Sequence, residues 1–326
     1  MKAVLCKQWG MPEDLVIEEV DAPEPGPGEV LVEVHAAGVN YPDTLIIQKK
    51  YQVTPKLPFT PGSEVAGVVK AVGEGVSVCK PGDRVIGSAN LGGYAQEIVV
   101  KAERVIPIPE RMEFPVAAAF VLAYGTSLYA LKDRAGLAAG ETLLVLGAAG
   151  GVGISAVEIG KAMGARVIAA ASSEDKLALC RERGADATID YGTEDLRKRI
   201  DALTEGKGPD VIYDPVGGPL TEQAFRSIAW CGRLLVVGFA SGEIPRMPLN
   251  LPLLKNASLV GLFWGAFMQR DPKGAHKHLR ELFELYQSGK VHPPVTRAYP
   301  LAEAGQALRD VIERRVKGKI VILPRA

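Results

Sequence analysis

Residues 143–153, LLVLGAAGGVG, limit the possible folds of this chain more than any other stretch. The segment Thr142–Leu146 begins one residue before this stretch. Its residues are apolar or β-branched, as in a strand buried on both faces. Glycines follow, and residues 152–163 then carry apolar side chains at helical spacing. A strand that leads through a glycine-rich turn into a helix presents free backbone amides, which attract an anion.

The turn fits a dinucleotide-binding fingerprint except at its first glycine. The pattern is A-x-G-x-x-G over Ala148, Gly150 and Gly153. Glycine-rich turns also simply connect strands to helices, so a match of this length is weak by itself. Here the helix is followed by a second strand-like run, Arg166–Ala171, as a βαβ unit requires. The sequence therefore predicts that this turn holds a pyrophosphate.

The two halves of the chain follow different patterns. Strand-like and helix-like segments alternate over residues 142–262, which is typical of a doubly wound parallel sheet. Residues 1–120 instead show short strand-like runs between turn-forming prolines and glycines, which indicates a small barrel or sandwich. An alanine-rich helix, interrupted near Gly125, is expected between the halves. Amphipathic helices at 275–287 and 302–313 and a strand at 320–323 are expected at the end.

The composition argues against several classes of protein. Lys plus Arg equals Asp plus Glu at 38 each, so no charge excess favours a nucleic acid or a membrane surface. The N-terminus shows no signal-peptide pattern, and no segment approaches the ~18 apolar residues of a membrane span. The four cysteines are far apart in sequence, which indicates reduced thiols. We therefore expect a cytoplasmic protein with no nucleic-acid or membrane partner.

Motifs spread over almost the whole chain resemble the medium-chain dehydrogenase/reductase superfamily. They are AAGVNYPDTLIIQKKY at 36–51, LPFTPGSEVAGVV at 57–69, PGDRV at 81–85, GGYAQ at 92–96, AAGGVG at 148–153, VIYDPVGG at 211–218 and GKIVI at 318–322. Within the superfamily the chain is similar to the zinc-free quinone oxidoreductases, the zeta-crystallin-like group. This resemblance implies an α/β fold with a GroES-like β-barrel catalytic domain plus a Rossmann doubly wound parallel-sheet domain that binds NADPH. The expected boundaries are 1–120, completed by 270–326, for the first domain and 121–269 for the second.

The residues at the expected metal positions are not metal ligands. Zinc-dependent relatives carry a cysteine and a histidine where this chain has Asn40 and Ser63. Neither an amide nor a hydroxyl is a usual zinc ligand, and Glu64 alone cannot hold an ion. His276 and His278 are two residues apart on a predicted helix, so their side chains diverge. We predict that the protein has no metal site.

The end of the second strand of the βαβ unit indicates which nicotinamide cofactor binds. NAD-binding turns place Asp or Glu there, whereas this chain has Ser172, followed by Ser173 and Lys176. Hydroxyls and an ammonium suit a 2′-phosphate that a carboxylate would repel, so NADPH is favoured over NADH. Alternatively the serines only cap the helix, Lys176 is a solvated charge, and Glu174 or Asp175 reaches the ribose.

The resemblance implies further cofactor contacts outside that strand end. The tyrosine at position 191 would contact the 2′-phosphate or the adenine. Without the resemblance, Lys317 and Lys319 would be interpreted as solvated residues of a turn before the last strand. The full set of implied contacts is Asn40, Thr126, Ala149, Gly150, Gly151, Val152, Ser172, Ser173, Lys176, Tyr191, Val216, Phe239, Ser241, Phe263, Lys317 and Lys319.

Three side chains are candidate catalytic hydrogen-bond donors: Asn40, Tyr41 and Tyr51. With no metal to polarise an alcohol or carbonyl, the expected acceptors are electron-poor, because their developing oxyanion needs only such donors. Asn40 has the alternative role of binding the cofactor amide. The tyrosines have the alternative role of apolar pocket walls. Asp43 would repel an oxyanion when ionised, so we interpret it as structural.

Three functional hypotheses follow. The leading one is an NADPH-dependent quinone oxidoreductase, which in this family commonly forms a homodimer through the edge of the Rossmann sheet. The second is an NADPH-dependent enoyl or 2-alkenal reductase, which acts on a C=C bond conjugated to a carbonyl. The third is a non-catalytic NADPH-binding protein. An apolar cluster after the last Rossmann strand is open to three interpretations, as pocket lining, subunit contact or core: Phe263, Trp264, Phe267 and Met268.

Overall fold

The computed structural model describes the whole chain, residues 1–326, and divides it into two compact units. Unit 1 comprises Met1–Val121 and Pro293–Ala326, and unit 2 comprises Leu122–His292. The chain therefore passes from one unit to the other twice. None of the helices combines the length and apolar character that a membrane span requires.

The strands are β1 Lys2–Leu5, β2 Val16–Glu19, β3 Glu29–Gly38, β4 Glu64–Val72, β5 Arg84–Ser88, β6 Glu97–Lys101, β7 Val105–Pro107, β8 Thr142–Leu146, β9 Arg166–Ala171, β10 Ala187–Asp190, β11 Val211–Asp214, β12 Arg233–Val236, β13 Ser258–Gly261, β14 Val295–Pro300 and β15 Lys319–Leu323. The α-helices are α1 Tyr41–Ile46, α2 Phe114–Ala117, α3 Val121–Leu128, α4 Gly151–Ala162, α5 Glu174–Glu182, α6 Leu196–Leu203, α7 Pro219–Arg226, α8 Asn250–Lys255, α9 Trp264–Arg270, α10 Pro272–Gln287 and α11 Ala304–Ile312.

Unit 1 is organised around β3, its longest strand. One edge of β3 pairs with β4, and the other edge pairs with β6 and then, at its end, with β15. Register shifts between β3 and β4 mark irregularities of the kind that bend a sheet. The resulting seven-stranded sheet encloses an apolar core to which β14, β15 and α11 from the C-terminal segment also contribute.

Unit 2 contains six parallel strands in the order β10-β9-β8-β11-β12-β13. The order reverses between β8 and β11, and right-handed crossovers therefore place helices on both faces of the sheet. Strands β8, β9 and β11 are buried along almost their whole length, which explains their continuous apolar runs. The doubly wound parallel sheet predicted from the sequence is confirmed.

The predicted interruption of the first long helix near Gly125 is wrong. Helix α3 runs through Gly125 without a break, and a π-helical segment, Tyr129–Arg134, continues it. A Cβ on Gly125 would lie 2.6 Å from Cζ2 of Trp264, so the glycine makes room for the indole ring. The break lies earlier, at the turn of residues 118–120 between α2 and α3.

The C-terminal segment returns to unit 1 later than expected. The predicted return began at residue 270, but residues up to His292 belong to unit 2. Helix α10 packs there because its His278 ring meets the rings of Trp264 and Phe267, with centroids 6.2 and 5.6 Å apart. Trp264 is buried, and Phe267 stacks on Tyr129 with ring centroids 4.3 Å apart. Trp264 is therefore part of the core of unit 2, and the half-buried Phe267 packs beside it.

Candidate functional site

The glycine-rich turn joins the end of β8 to the start of α4. Gly147 has a φ of 56°, and the next amide, that of Ala148, donates to Ala170 O at 3.0 Å, which fastens the turn to β9. A Cβ on Gly153 would lie 2.3 Å from Gly147 O. The helix therefore packs against the turn more closely than any residue larger than glycine would permit.

The start of α4 presents unpaired backbone donors. The helix has no side-chain cap, and its first intrahelical bond runs from Ile154 N to Gly150 O at 2.8 Å. The amides of Gly151, Val152 and Gly153 precede that bond, so they have no carbonyl partner in the helix. Together with the positive end of the helix dipole they fit a pyrophosphate. The implied contacts at 149–152 all lie on this turn.

A buried hydroxyl network, which the sequence analysis missed, ties α3 to the same turn. Ser127 Oγ lies 2.8 Å from Ser155 Oγ on α4 and 2.8 Å from Tyr213 Oη on β11. Ser127 and Ser155 are both fully buried. Thr126 is the neighbour of Ser127, and its hydroxyl donates to Leu122 O at 2.6 Å. The network thus holds Thr126 close to the start of α4.

Ser172, Ser173 and Lys176 meet at the carboxyl end of β9. Lys176 Nζ donates to Ser172 Oγ at 3.1 Å. Ser173 is the N-cap residue of α5, but its side chain makes no capping hydrogen bond, contrary to the capping alternative. Tyr191 N donates to Ala171 O at 3.0 Å, which places Tyr191 beside this group. Two hydroxyls, an ammonium and a phenol therefore share one strand end.

Two carboxylates close to this group in sequence or across the sheet, Glu174 and Asp190, have partners within the chain. Glu174 forms an ion pair with Arg181, two turns along α5, and its side chain is 73% exposed. Asp190, at the end of β10, accepts a hydrogen bond from Gly192 N at 2.9 Å. Glu174 and Asp190 are therefore both engaged within the chain.

The loop after β11 packs against the glycine turn. Asp214 Oδ1 accepts hydrogen bonds from the amides of Val216 at 2.8 Å and Gly217 at 2.9 Å, and burial raises the pKa of this carboxyl. A Cβ on Gly147 would lie 2.7 Å from Val216 Cγ2. Ser241 N donates to Val216 O at 2.8 Å, which joins the loop after β12 to the same place.

The two phenylalanines of the implied set differ in position. Phe239 lies against Gly217, where a Cβ would be 2.9 Å from its Cδ1. Phe263 follows β13, two strands beyond β11, and is 52% exposed at the start of α9. Phe239 therefore belongs to the group around the glycine turn, whereas Phe263 lies at the far end of the same sheet edge.

Unit 1 brings Asn40 and Lys319 together. Lys319 Nζ donates to Asn40 Oδ1 at 2.6 Å and to Val39 O at 3.1 Å. Asn40 precedes α1, and its backbone amide donates to Asp43 Oδ2 at 2.9 Å. The same carboxylate oxygen accepts the Tyr94 hydroxyl at 2.8 Å. Asp43 thus has the structural role predicted for it, because it fixes the start of α1.

These buried groups perturb each other. Burial raises the pKa of Asp43 to about 6, although hydrogen bonds from Asn40 N and Tyr94 and the charge of Lys319 oppose that rise. Burial lowers the pKa of Lys319, against the opposing charges of Glu64 and Asp43. Lys319 is only 3% exposed. A buried ammonium therefore faces two buried carboxyls in the interior of unit 1.

The remaining candidate site residues of unit 1 are less buried than Asn40 and Lys319. Tyr41 is the first residue of α1, and burial raises the pKa of its phenol. Tyr51 packs beside the core of unit 1, and burial, followed by the charge of Asp43, raises its pKa. Both phenols therefore stay protonated at neutral pH and can donate hydrogen bonds. Lys317, which precedes β15, is partly buried.

The residues of unit 1 do not fit a zinc ion. No three His, Cys, Asp or Glu side chains of the chain are grouped in a way that could hold a metal. The oxygen of Asn40, at the position where zinc-dependent relatives place a cysteine, receives the ammonium of Lys319. His276 is exposed and His278 is buried, so these two side chains diverge as predicted. The lack of a bound metal remains a prediction.

Both units match known families. Residues 26–110 match the alcohol dehydrogenase GroES-like domain, and residues 151–281 match the zinc-binding dehydrogenase family. The quinone oxidoreductase-like protein 2 homolog of Nematostella vectensis is 40% identical over 325 residues, 98% of this chain and 88% of that protein. The quinone oxidoreductase of Pseudomonas aeruginosa is 36% identical over 99% of both chains.

A solved structure agrees with these sequence matches. The Escherichia coli quinone oxidoreductase complexed with NADPH superimposes with a TM-score of 0.92 at 30% identity. The match covers 99% of this chain and 100% of that chain. The predicted α/β fold, with a GroES-like domain and a Rossmann domain, is confirmed.

The two glycines of the turn are expected to respond differently to a methyl group. Gly153→Ala forces a Cβ against backbone atoms, so it should lower the free energy of unfolding by about 1–3 kcal/mol. Gly150→Ala places its Cβ no closer than 3.4 Å to Gly147 O, so its stability should stay within about 0.5 kcal/mol of wild type. Urea unfolding of both variants measures this difference. Equal destabilisation would contradict the assigned packing.

Proposed function

Because the chain belongs to the medium-chain dehydrogenase/reductase superfamily, in its zeta-crystallin-like quinone oxidoreductase group, we propose that it is an NADPH-dependent quinone oxidoreductase. The observation that carries the proposal is the group of Ser172, Ser173 and Lys176 at the end of β9, next to the glycine turn. In this proposal, unit 2 holds the nucleotide, and unit 1 supplies hydrogen-bond donors to the molecule that is reduced.

The proposed nucleotide site uses two features of unit 2. The amides at the start of α4 suit the pyrophosphate, and the hydroxyls and ammonium at the end of β9 suit a 2′-phosphate. The phenol of Tyr191, beside Ser172, adds a further contact to the phosphate or the adenine. Thr126, Val216, Phe239 and Ser241 lie around the turn, where they would contact the rest of the nucleotide. NADPH supplies a hydride when bound.

Unit 1 supports acceptors that need no metal. The donor groups available there are the Asn40 amide and the phenols of Tyr41 and Tyr51, all uncharged. Such donors stabilise negative charge that develops on an oxygen, but they are poor substitutes for the Lewis acid that alcohol oxidation needs. Quinones and carbonyl-conjugated double bonds have that oxygen, so small molecules of this kind are the proposed substrates of a zinc-free enzyme.

We also propose a homodimer formed at the free edge of β13. Cys231 N donates to Lys255 O at 3.0 Å, so the segment around Trp230 lies next to the end of α8. Large apolar side chains are exposed on these segments: Trp230 is 69% exposed, Leu253 76%, Leu254 64% and Leu259 39%. An open strand edge flanked by apolar side chains suits pairing with a second copy.

A cytoplasmic location remains part of the proposal. The four cysteines are free thiols, as expected for that location.

The acceptor preference is tested by comparing turnover of 1,4-benzoquinone, a simple enone and an enoyl-CoA with NADPH. The quinone is expected to have the highest kcat/KM, because its reduction needs only a donor to each oxygen. A faster reaction with the enone or the enoyl-CoA would favour the C=C reductase alternative. Tight NADPH binding with no oxidation by any acceptor would favour the non-catalytic alternative.

The 2′-phosphate site is tested with Lys176→Ala. Loss of one charge-assisted contact should weaken NADPH binding by about 10- to 100-fold, while NADH affinity stays within about twofold. Calorimetric titration with both nucleotides measures the ratio, and Lys198→Ala, at an exposed position of α6, is the matched control. Equal losses for the two nucleotides would show that Lys176 does not contact the 2′-phosphate.

The proposed dimer is tested by placing a charge on α8. Leu253→Arg should convert the dimer to a monomer in light scattering at micromolar concentration, because it buries a charge in an apolar interface. Val78→Arg, at an exposed position in unit 1, should not change the mass. A monomeric wild-type protein, or a dimer unaffected by Leu253→Arg, would reject this interface.

A further inference from the structure

We infer that Lys319 is a positioning residue for Asn40: its buried ammonium takes the amide oxygen of Asn40 and so leaves only the N–H side of that amide available to a ligand. This inference rests on the proposed function and goes beyond it, because Lys319 would act through Asn40 without contacting the nucleotide. The resemblance had implied a direct cofactor contact for this lysine.

The contacts of the ammonium fix the orientation of the amide. An ammonium has three donor hydrogens and no acceptor, so the atom it meets on Asn40 must be the carbonyl oxygen. That contact is 2.6 Å long, and a second donor hydrogen goes to Val39 O at 3.1 Å. The two possible orientations of an asparagine amide are therefore not equivalent here. The rotated form would place two N–H groups against an ammonium.

The surroundings keep the lysine in this place. Lys319 is 3% exposed and Asn40 is 8% exposed, so the contact is shielded from water. The carboxyls of Asp43 and Glu64 act on the ammonium with opposite charge. An ammonium held inside a protein needs such partners, because its desolvation is expensive. Lys319 thus supplies an internal cation beside Asn40, the residue that stands where zinc-dependent relatives carry a cysteine.

This arrangement determines what Asn40 can do. Its Nδ2 has only a long contact, 3.5 Å to Gly38 O, so it is available as a donor. A donor fits a carbonyl oxygen, either that of an acceptor such as a quinone or that of the nicotinamide amide. Lys319 should therefore strengthen whichever of these contacts Asn40 makes, because it removes the rotated amide from the population and polarises the N–H groups.

A double-mutant cycle tests this dependence. The four proteins are wild type, Asn40→Ala, Lys319→Met and the double variant, and the measurements are NADPH Kd, kcat and KM. Lys319→Met should impair, by at least about fivefold, the same parameter that Asn40→Ala impairs. The double variant should match Asn40→Ala in that parameter within about twofold. Lys101→Met, an exposed change in unit 1, should leave all three parameters unchanged.

The outcomes separate this role from other roles. Losses that multiply in the double variant would show that Lys319 acts independently of Asn40, and would overturn the inference. A loss of NADPH affinity in Lys319→Met that Asn40→Ala does not share would instead indicate direct nucleotide contact. An Asn40→Ala variant with wild-type Kd, kcat and KM would also overturn it. A wild type that binds NADPH but reduces no acceptor rejects the proposed activity, and the Kd cycle still decides the role of Lys319.

Asn40→Asp provides a second variant with a different expected result. The new carboxylate still accepts from Lys319, although it is repelled by Asp43 and Glu64, so the urea midpoint should fall less than in Asn40→Ala. It has no N–H group, so the impairment should be as large as in Asn40→Ala. An Asn40→Asp protein with wild-type parameters would overturn the inference. A urea-unfolding cycle on Asn40→Ala and Lys319→Met needs no ligand, and additive midpoint shifts would show that the contact is not formed.

Discussion

The close approach of α4 to the turn after β8 is the interaction on which the rest of the site depends. Gly153 permits that approach, and the turn lies where the strand order reverses between β8 and β11. At such a point the loops on either side diverge and leave room for a ligand. The end of β9 and the loops after β11 and β12 meet in this region, so one packing constraint assembles residues that are far apart in sequence.

The second determinant is a set of buried charges in unit 1. Asp43, Glu64 and Lys319 are each almost fully buried, and each carboxyl is compensated in part by the lysine. Charges in a medium of low polarity interact strongly and are costly when unpaired, so this set has few alternative arrangements. The amide of Asn40 lies at its edge and takes its orientation from it. Unit 1 can therefore present a well-defined hydrogen-bond donor without a metal ion.

Sequence reasoning succeeded where local patterns determine the structure. The continuous apolar runs of the parallel strands and the glycine spacing after β8 predicted the sheet and the turn, because burial on both faces and close backbone packing leave a direct trace in the residue types. The resemblance added the barrel. The grouping of Ser172, Ser173 and Lys176 also follows from local sequence, since all three lie at one strand end.

Sequence reasoning failed where contacts between residues far apart in the chain determine the structure. Gly125 looked like a helix breaker, but its role is to admit the ring of Trp264. Helix α1 was missed because it has only six residues and depends on Asp43, whose carboxylate is held by Tyr94 from another part of the chain. The sequence suggested a solvated lysine at position 319 and the resemblance a cofactor contact, and only the packing of β15 beside β3 shows that Lys319 is buried.

The central claim is that this chain binds a phosphorylated dinucleotide at the glycine turn, and calorimetric titration of the wild-type protein tests it most directly. We expect saturable binding of NADPH with a micromolar Kd and clearly weaker binding of NADH. If neither nucleotide produces binding heat at millimolar concentration, the claim is wrong.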